Sequence, residues 1–306
     1  MIRRMLIQYA SDLHLEMRQS WSKILKPVAP ILVLAGDIGD PTSQDYRSFL
    51  DWCGSQWKAT FIVAGNHEFY NSSSCYKWKH LVHVDTHAER LAECRRVADM
   101  VVTRNVHFLQ QRRVDLDGVA FLGATLWTDL SAPADADIAV RNMNDYQKIA
   151  TATATATPEA ITPIDTTDWH RADYRWLDHE IKTCEESGTP AVVITHHLPS
   201  YSLIASRWTD HPINSAFASR SDALIRSPVK AWIAGHTHAG TVQNRNNIAL
   251  LINPLGYPGE RGTFKSSCTV EIDTAPVPVD ERIPELVAAA VSVDESTPES
   301  EIIFMQ

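Results

Sequence analysis

Long hydrophobic runs are missing from this chain of 306 residues. No window approaches the 18 or more uninterrupted apolar residues of a membrane-spanning helix, so an integral helical membrane protein is excluded. Cysteine is sparse and scattered: Cys53, Cys75, Cys94, Cys184 and Cys268, an odd number with no C-x-x-C pair. That argues against a disulfide framework or a thiolate zinc site and favours a reducing compartment. The opening MIRRMLIQYASDLH has only a short apolar stretch before charge returns at Asp12, so it reads as a first β-strand rather than a secretion signal, and a cytoplasmic protein is expected. No block of lysine and arginine occurs. The net charge is −9, and residues 273–306 hold eight acids against one base, so the rest is nearly neutral. A dedicated nucleic-acid surface, which works by neutralising phosphates, is therefore not expected, although a small anionic substrate held by metals is compatible.

Short apolar runs recur, at Met5–Ala10, Ile31–Ala35, Thr60–Ala64, Val119–Leu122, Ala191–Thr195, Val229–Ala234 and Ile248–Ile252. Their near-continuous apolarity suits strands buried on both faces. Helical periodicity lies between several of them, over Ser43–Trp57, Asp85–Val101 and about Asp168–Ser187, with Thr166–Asp168 as N-cap candidates for the last. The alternation predicts an α/β protein. Two segments carry no core pattern. Thr151–Thr157 (TATATAT) reads as a surface loop, with a lid as the alternative. The acidic, Pro- and Val-rich stretch 274–306 reads as an appendage to a domain spanning 1–273, with one short helix at Pro284–Val291.

Five of the apolar runs end at metal-type ligands: Asp12-Leu-His14, Asp37-Ile-Gly-Asp40, Asn66-His67-Glu68, His196-His197 and His236-Thr-His238. In open α/β sheets, ligands bind at the carboxyl ends of strands, so these clusters can converge. Gly36, Gly65 and Gly235 each directly precede one of these clusters, where the backbone must turn sharply and pass close to the site. The ligand atoms are all oxygen and nitrogen, which suits Mn²⁺, Fe or Zn²⁺. Seven ligands exceed the needs of one catalytic ion, and one aspartate shared between two ions is the economical solution.

The series D-x-H, G-D-x-x-D, G-N-H-E, H-H and G-H-x-H, from Asp12 to His238, resembles the calcineurin-like metallophosphoesterase superfamily. The resemblance implies a four-layer α-β-β-α sandwich of two mixed β-sheets. It implies two divalent metal ions, with Mn²⁺ preferred. One ion takes Asp12, His14 and His238, the other takes Asn66, His196 and His236, and Asp37 bridges them. His67 becomes the catalytic histidine that is not a ligand, and Asp40 its orienting partner. The implied reaction is in-line attack on phosphorus by a hydroxide bridging the two ions. Asn66 and His197 are further candidates for substrate contact, as is Arg141, while Trp127 or Tyr146 could stack a base. His80, His83 and His87 are spaced for one helix face; His83 and His87 at i, i+4 could bind zinc, but no fourth ligand is evident and a solvated face is expected. Arginines that clamp a dianionic monoester in the superfamily's protein phosphatases are absent, since Pro41-Thr42 and Phe69-Tyr70 stand there. The sequence is thus more similar to small bacterial or phage-type phosphodiesterase members. The expected substrate is a small or nucleotide-like phosphodiester. The alternatives are a phosphomonoesterase or nucleotide pyrophosphatase on the same site and, last, a scaffold without chemistry. The predicted partner is a small phosphoester alone.

Overall fold

The computed structural model describes residues 4–71, 84–152 and 158–274. The appendage beyond Thr274, His80, His83 and residues 153–157 lie outside the described residues. The first half contains β1 (Arg4–Ala10), β2 (Ile31–Ala35), α1 (Gln44–Gln56), β3 (Ala59–Val63), α2 (His87–Met100), β4 (Val106–Phe108), β5 (Arg112–Leu116) and β6 (Val119–Ala124). There follow α3 (Pro133–Asn142), α4 (Asp145–Lys148), β7 (Ala150–Ala152), β8 (Pro158–Ala160) and α5 (Pro163–Ser187). The chain continues through β9 (Ala191–Thr195), β10 (Val229–Ala234), β11 (Thr241–Arg245), β12 (Ile248–Ile252) and β13 (Thr269–Asp273).

These strands build two mixed sheets, ordered β13-β1-β2-β3-β4 and β11-β12-β10-β9-β6-β5. In each, the inner strands run parallel, and antiparallel partners close the edges at β13, β11 and β5. The period-2 alternation of side chains explains why the inner strands are apolar throughout. In β2, Ile31, Val33 and Ala35 face a core between the sheets, while Leu32 and Leu34 face a second core with α1 and α2. In β9, Val192 and Ile194 face the core between the sheets, and Ala191 and Val193 pack on the α5 side. The two sheets interlock through Phe61 and Phe121, whose rings stack with centroids 3.9 Å apart. The layers are therefore helix, sheet, sheet, helix.

Helix α1 is capped by Ser43 and α2 by Thr86, whose hydroxyls accept from main-chain N–H groups in the first turn. Helix α5 begins earlier than the apolar periodicity suggests. Pro163 takes its first position, and Asp165 accepts from the Thr162 N–H at 2.7 Å, so Thr166–Asp168 lie inside the helix rather than at its cap. Thr151 and Ala152, expected in a loop, belong instead to the small β7–β8 hairpin. Among the described residues no helix is long and apolar enough to cross a membrane.

Candidate dinuclear metal centre

The strand-end loops are tied to one another by the main chain. Asp12 N–H donates to Gly36 O at 2.9 Å, His14 N–H to Asp37 O at 3.0 Å, and Gly235 N–H to His196 O at 2.9 Å. Asp12, His14, Asp37, His236 and His238 all adopt left-handed backbone, with φ between 47° and 71°. Such conformations in residues other than glycine cost about 1–3 kcal/mol each and persist where surrounding structure enforces them, typically at functional sites. The preceding glycines make the turns possible. A Cβ on Gly36 would lie 2.5 Å from His196 Nδ1, and one on Gly235 would lie 2.8 Å from Asp12 Oδ2.

Seven of the predicted ligands form one chain of contacts. His238 Nε2 is 3.5 Å from Asp12 Oδ1 and 3.1 Å from His14 Nε2. His14 Nε2 faces Asp37 Oδ2 at 3.8 Å, and the other oxygen, Oδ1, faces His196 Nε2 at 3.4 Å. His196 Nε2 in turn meets Asn66 Oδ1 at 3.0 Å and His236 Nδ1 at 3.2 Å. Asp12, His14 and His238 thus form one potential metal-holding group and Asp37, His196 and His236 another, with their ligand atoms within 4.8 Å of one another in each. Asp37 touches both sides.

The outward atoms of these rings are already engaged. His14 Nδ1 faces Glu16 Oε1 at 3.2 Å, His238 Nδ1 faces Glu260 Oε2 at 2.8 Å, and His196 Nδ1 donates to Ala35 O at 2.9 Å. That leaves the Nε2 lone pairs of His14, His196 and His238 aimed inward, the arrangement usual for metal-ligating histidines. Asn66 Nδ2 donates to Tyr70 Oη and to Asp145, which fixes its Oδ1 towards the centre. Burial lowers the pKa of His14 and His236, and that of His196 to about 4, so their rings are neutral. Burial and the neighbouring Glu68 and Asp12 carboxylates raise Asp37 well above the usual carboxylate range, a cost that a cation reverses.

The residues fit divalent cations. Two ring nitrogens at 3.1–3.2 Å are poor partners for each other when both are bare acceptors. With metal–nitrogen bonds of about 2.1 Å, however, adjacent ligand atoms sit about 3.0–3.4 Å apart. The donors are oxygen and nitrogen throughout, as hard or borderline ions require.

Several sequence expectations need correction. Asp40 does not orient His67: its Oδ1 accepts from Arg90 at 2.7 Å and from the Thr42 N–H at 2.9 Å. Glu16 stands in that place, its Oε1 3.0 Å from His67 Nδ1. Burial opposes ionisation of Glu16, but bonds to His14 and His67 prevail and hold its pKa at about 2. Arg141 is exposed on α3 and does not line the pocket at the centre. His197 is buried and packs between the Trp127 and His236 rings, so it offers no face to a substrate. Trp127 is likewise core, and Tyr146 packs against two core clusters and does not line the pocket. His87 is not solvated: it stacks on Trp169 with centroids 3.7 Å apart and lies against Phe69.

Other contributors carried no recognised role in the sequence. Glu68 accepts from the main-chain N–H groups of Gly65, Asp37, Ile38 and Gly39, binding the turn after β2 to the turn after β3. Burial pushes its carboxyl up to about 7, although those four donors favour ionisation. Tyr257 reaches His67 Nε2 through its hydroxyl at 3.1 Å. An acid two residues after a ligand histidine was the available signal for Glu16, whereas Tyr257 had none. The centre opens into a pocket of about 600 Å³, whose lining includes Asp37, Asn66, His236, His238 and Tyr257.

Paired mixed sheets with helices outside thus carry, at their strand ends, a centre of nitrogen and oxygen donors suited to divalent cations. The sequence profile of the calcineurin-like phosphoesterases matches residues 6–240, and the chain belongs to that family. It is 28% identical over 287 residues to an uncharacterised protein of Acanthamoeba polyphaga mimivirus, covering 88% of this chain and 97% of that one. Its fold is similar to the crystal structure of a phosphopantetheinyl hydrolase from Mycobacterium tuberculosis, with a TM-score of 0.63 at 18% identity, covering 89% of this chain and 96% of the other. A dimetal phosphatase from Danio rerio aligns with a TM-score of 0.43 at 14% identity, over 83% and 87% of the two chains.

Proposed function

We propose that this chain is a phosphodiesterase that uses two divalent cations, Mn²⁺ foremost, to hydrolyse a small or nucleotide-like phosphodiester in the cytoplasm. The observation that carries the reading is Asp37, whose two carboxylate oxygens face the two ligand groups separately beside an open pocket. Asp12, His14 and His238 would hold one ion, and Asn66, His196 and His236 the other. When bound, such a pair supplies charge neutralisation for a phosphoryl group and makes water more acidic.

The chain's own residues account for the rest. Glu16 orients His67 through Nδ1, so that Nε2 faces the hydroxyl of Tyr257, a residue of the pocket wall. A substrate's leaving oxygen at that point receives a hydrogen bond or proton from His67, the task of a positioned general acid. Asn66, held by Tyr70 and Asp145, presents a rigid amide oxygen. Glu68 keeps the turns bearing Asp37 and Asn66 in fixed relation.

A diester is favoured over a monoester because no arginine directly follows the Gly-Asp or Gly-Asn-His-Glu motifs. The nearby Arg90 is spoken for by Asp40 and Asp85. Paired assays of bis-p-nitrophenyl phosphate and p-nitrophenyl phosphate with Mn²⁺ test this. Faster turnover of the diester is expected, and a strong preference for the monoester would sink the diesterase reading.

A further inference from the structure

The pocket extends well past the centre, and its outer wall has a chemistry of its own. Phe217 begins that wall, with its ring 4.5 Å from the His236 ring. Trp208 continues it on the loop between β9 and β10, and remains 48% exposed. Asn142 and Asn144, at the end of α3 and just beyond it, add amide groups to the lining. Arg207 and Arg261 line the pocket as well. Arg207 lies over the Trp208 ring at 5.8 Å from its centroid. Among the described residues neither arginine meets a carboxylate. The volume, about 600 Å³, is larger than a phosphoryl group alone needs and falls in the range of sites that enclose whole small molecules.

Free arginines beside a half-exposed tryptophan are expensive decoration for a site meant only for the scissile phosphate. A planar base stacks on an indole whatever its identity. Guanidinium forks match phosphate oxygens. We infer that the pocket selects nucleotides carrying a second phosphoryl group away from the scissile ester, with Trp208 stacking the base and Arg207 and Arg261 holding the second phosphate. This rests on the reading of the centre as a phosphoesterase site and adds to it the class of substrate. Asn142 and Asn144 are placed to meet the polar edge of the base.

Binding to the Mn²⁺-loaded protein, measured by calorimetry, tests the inference independently of turnover. The probes are inorganic phosphate, thymidine 5′-monophosphate and thymidine 3′,5′-bisphosphate. Each added group is expected to tighten binding about tenfold, in keeping with the usual worth of one stacked base or one charge-assisted phosphate contact. Trp208→Ala should collapse the first ratio, and Arg207→Ala or Arg261→Ala the second. Because the readouts are ratios within one variant, damage to the metal centre cancels. Equal affinities for the three probes, or ratios unchanged in the variants, overturn the inference. So does equal loss of all three ligands on removing either arginine, since that result assigns the arginines to the scissile phosphate. Bis-p-nitrophenyl phosphate turnover stands apart: its absence refutes the phosphoesterase reading, whereas its presence with flat ratios refutes only the substrate class.

Discussion

Replacing Gly65 by alanine isolates the geometry of the centre from its chemistry, because no ligand atom is deleted. A Cβ at that position would sit 2.1 Å from Asp37 Oδ1, 2.6 Å from Asp37 N and 2.7 Å from His196 Cε1. The first of these falls about 1.3 Å short of an ordinary contact of 3.4 Å, so either Asp37 or the turn itself must move by that order. Gly65 is not among the residues in left-handed backbone, so alanine is conformationally permitted and the contact is the whole effect. Nor can the turn swing freely, since Gly65 N–H is bonded to Glu68 Oε2 at 2.6 Å. Overpacking of this kind costs about 1–3 kcal/mol of stability. A displacement near 1 Å at reacting groups costs about a hundredfold in rate. The variant should therefore remain folded, with a modestly lower melting temperature. It should bind Mn²⁺ at least about tenfold more weakly by calorimetric titration, as perturbed ligand shells do. Wild-type Mn²⁺ affinity together with wild-type turnover would refute the placement of Gly65 against Asp37 and His196.

Glu16→Ala removes the carboxylate that aligns both His14 and His67, and should lower kcat/KM about 10- to 100-fold in steady-state assays. Asp40→Ala should act differently. It strips a partner from the buried Arg90 and costs about 2 kcal/mol in denaturant unfolding, with kcat changed less than Glu16→Ala changes it; the reverse ranking would restore Asp40 as the partner of His67. Burial depresses the pKa of His87 to about 3, below its unfolded value of about 6.5. The unfolded chain therefore takes up the proton first, and the stability this ring contributes is complete above about pH 6.5 and declines as pH falls towards 3. The decline is at most about 1.4 kcal/mol per pH unit. His87→Leu should flatten that part of the metal-free stability curve, followed by thermal melts across the window, and an unchanged slope would contradict the assignment.

What the sequence displayed most clearly was whatever is buried on both sides. The β2, β9, β10 and β12 runs coincide with their expected bounds because each inner strand faces one core on either side, leaving no polar alternation to blur them. Edge strands had no such mark. Strand β5 reads RRVDL and β11 reads TVQNR, with exposed and half-exposed residues throughout, and each is recruited by pairing with a buried neighbour. The ligands were legible because glycine and ligand pairs recur at strand ends. The groups behind them were harder to see. Asp40 is near His67 in the motif pattern, yet Arg90 from α2 captures it, and that contact joins residues 50 positions apart. Arg141 looked available because it is charged and follows a strand. Helix α3 instead turns it to solvent, and the pocket draws its arginines from Arg207 and Arg261. Trp127 and His197 illustrate the opposite error, since aromatic side chains near a site can be its foundation rather than its lining.

Anomalous diffraction from Mn²⁺-soaked crystals asks the central question directly. Two manganese peaks about 3.5–4 Å apart, one among Asp12, His14 and His238 and the other among Asn66, His196 and His236, are the predicted result, with Asp37 touching both. A single peak, or manganese bound elsewhere while these seven side chains stay bare, would contradict the shared-aspartate centre on which the account is built.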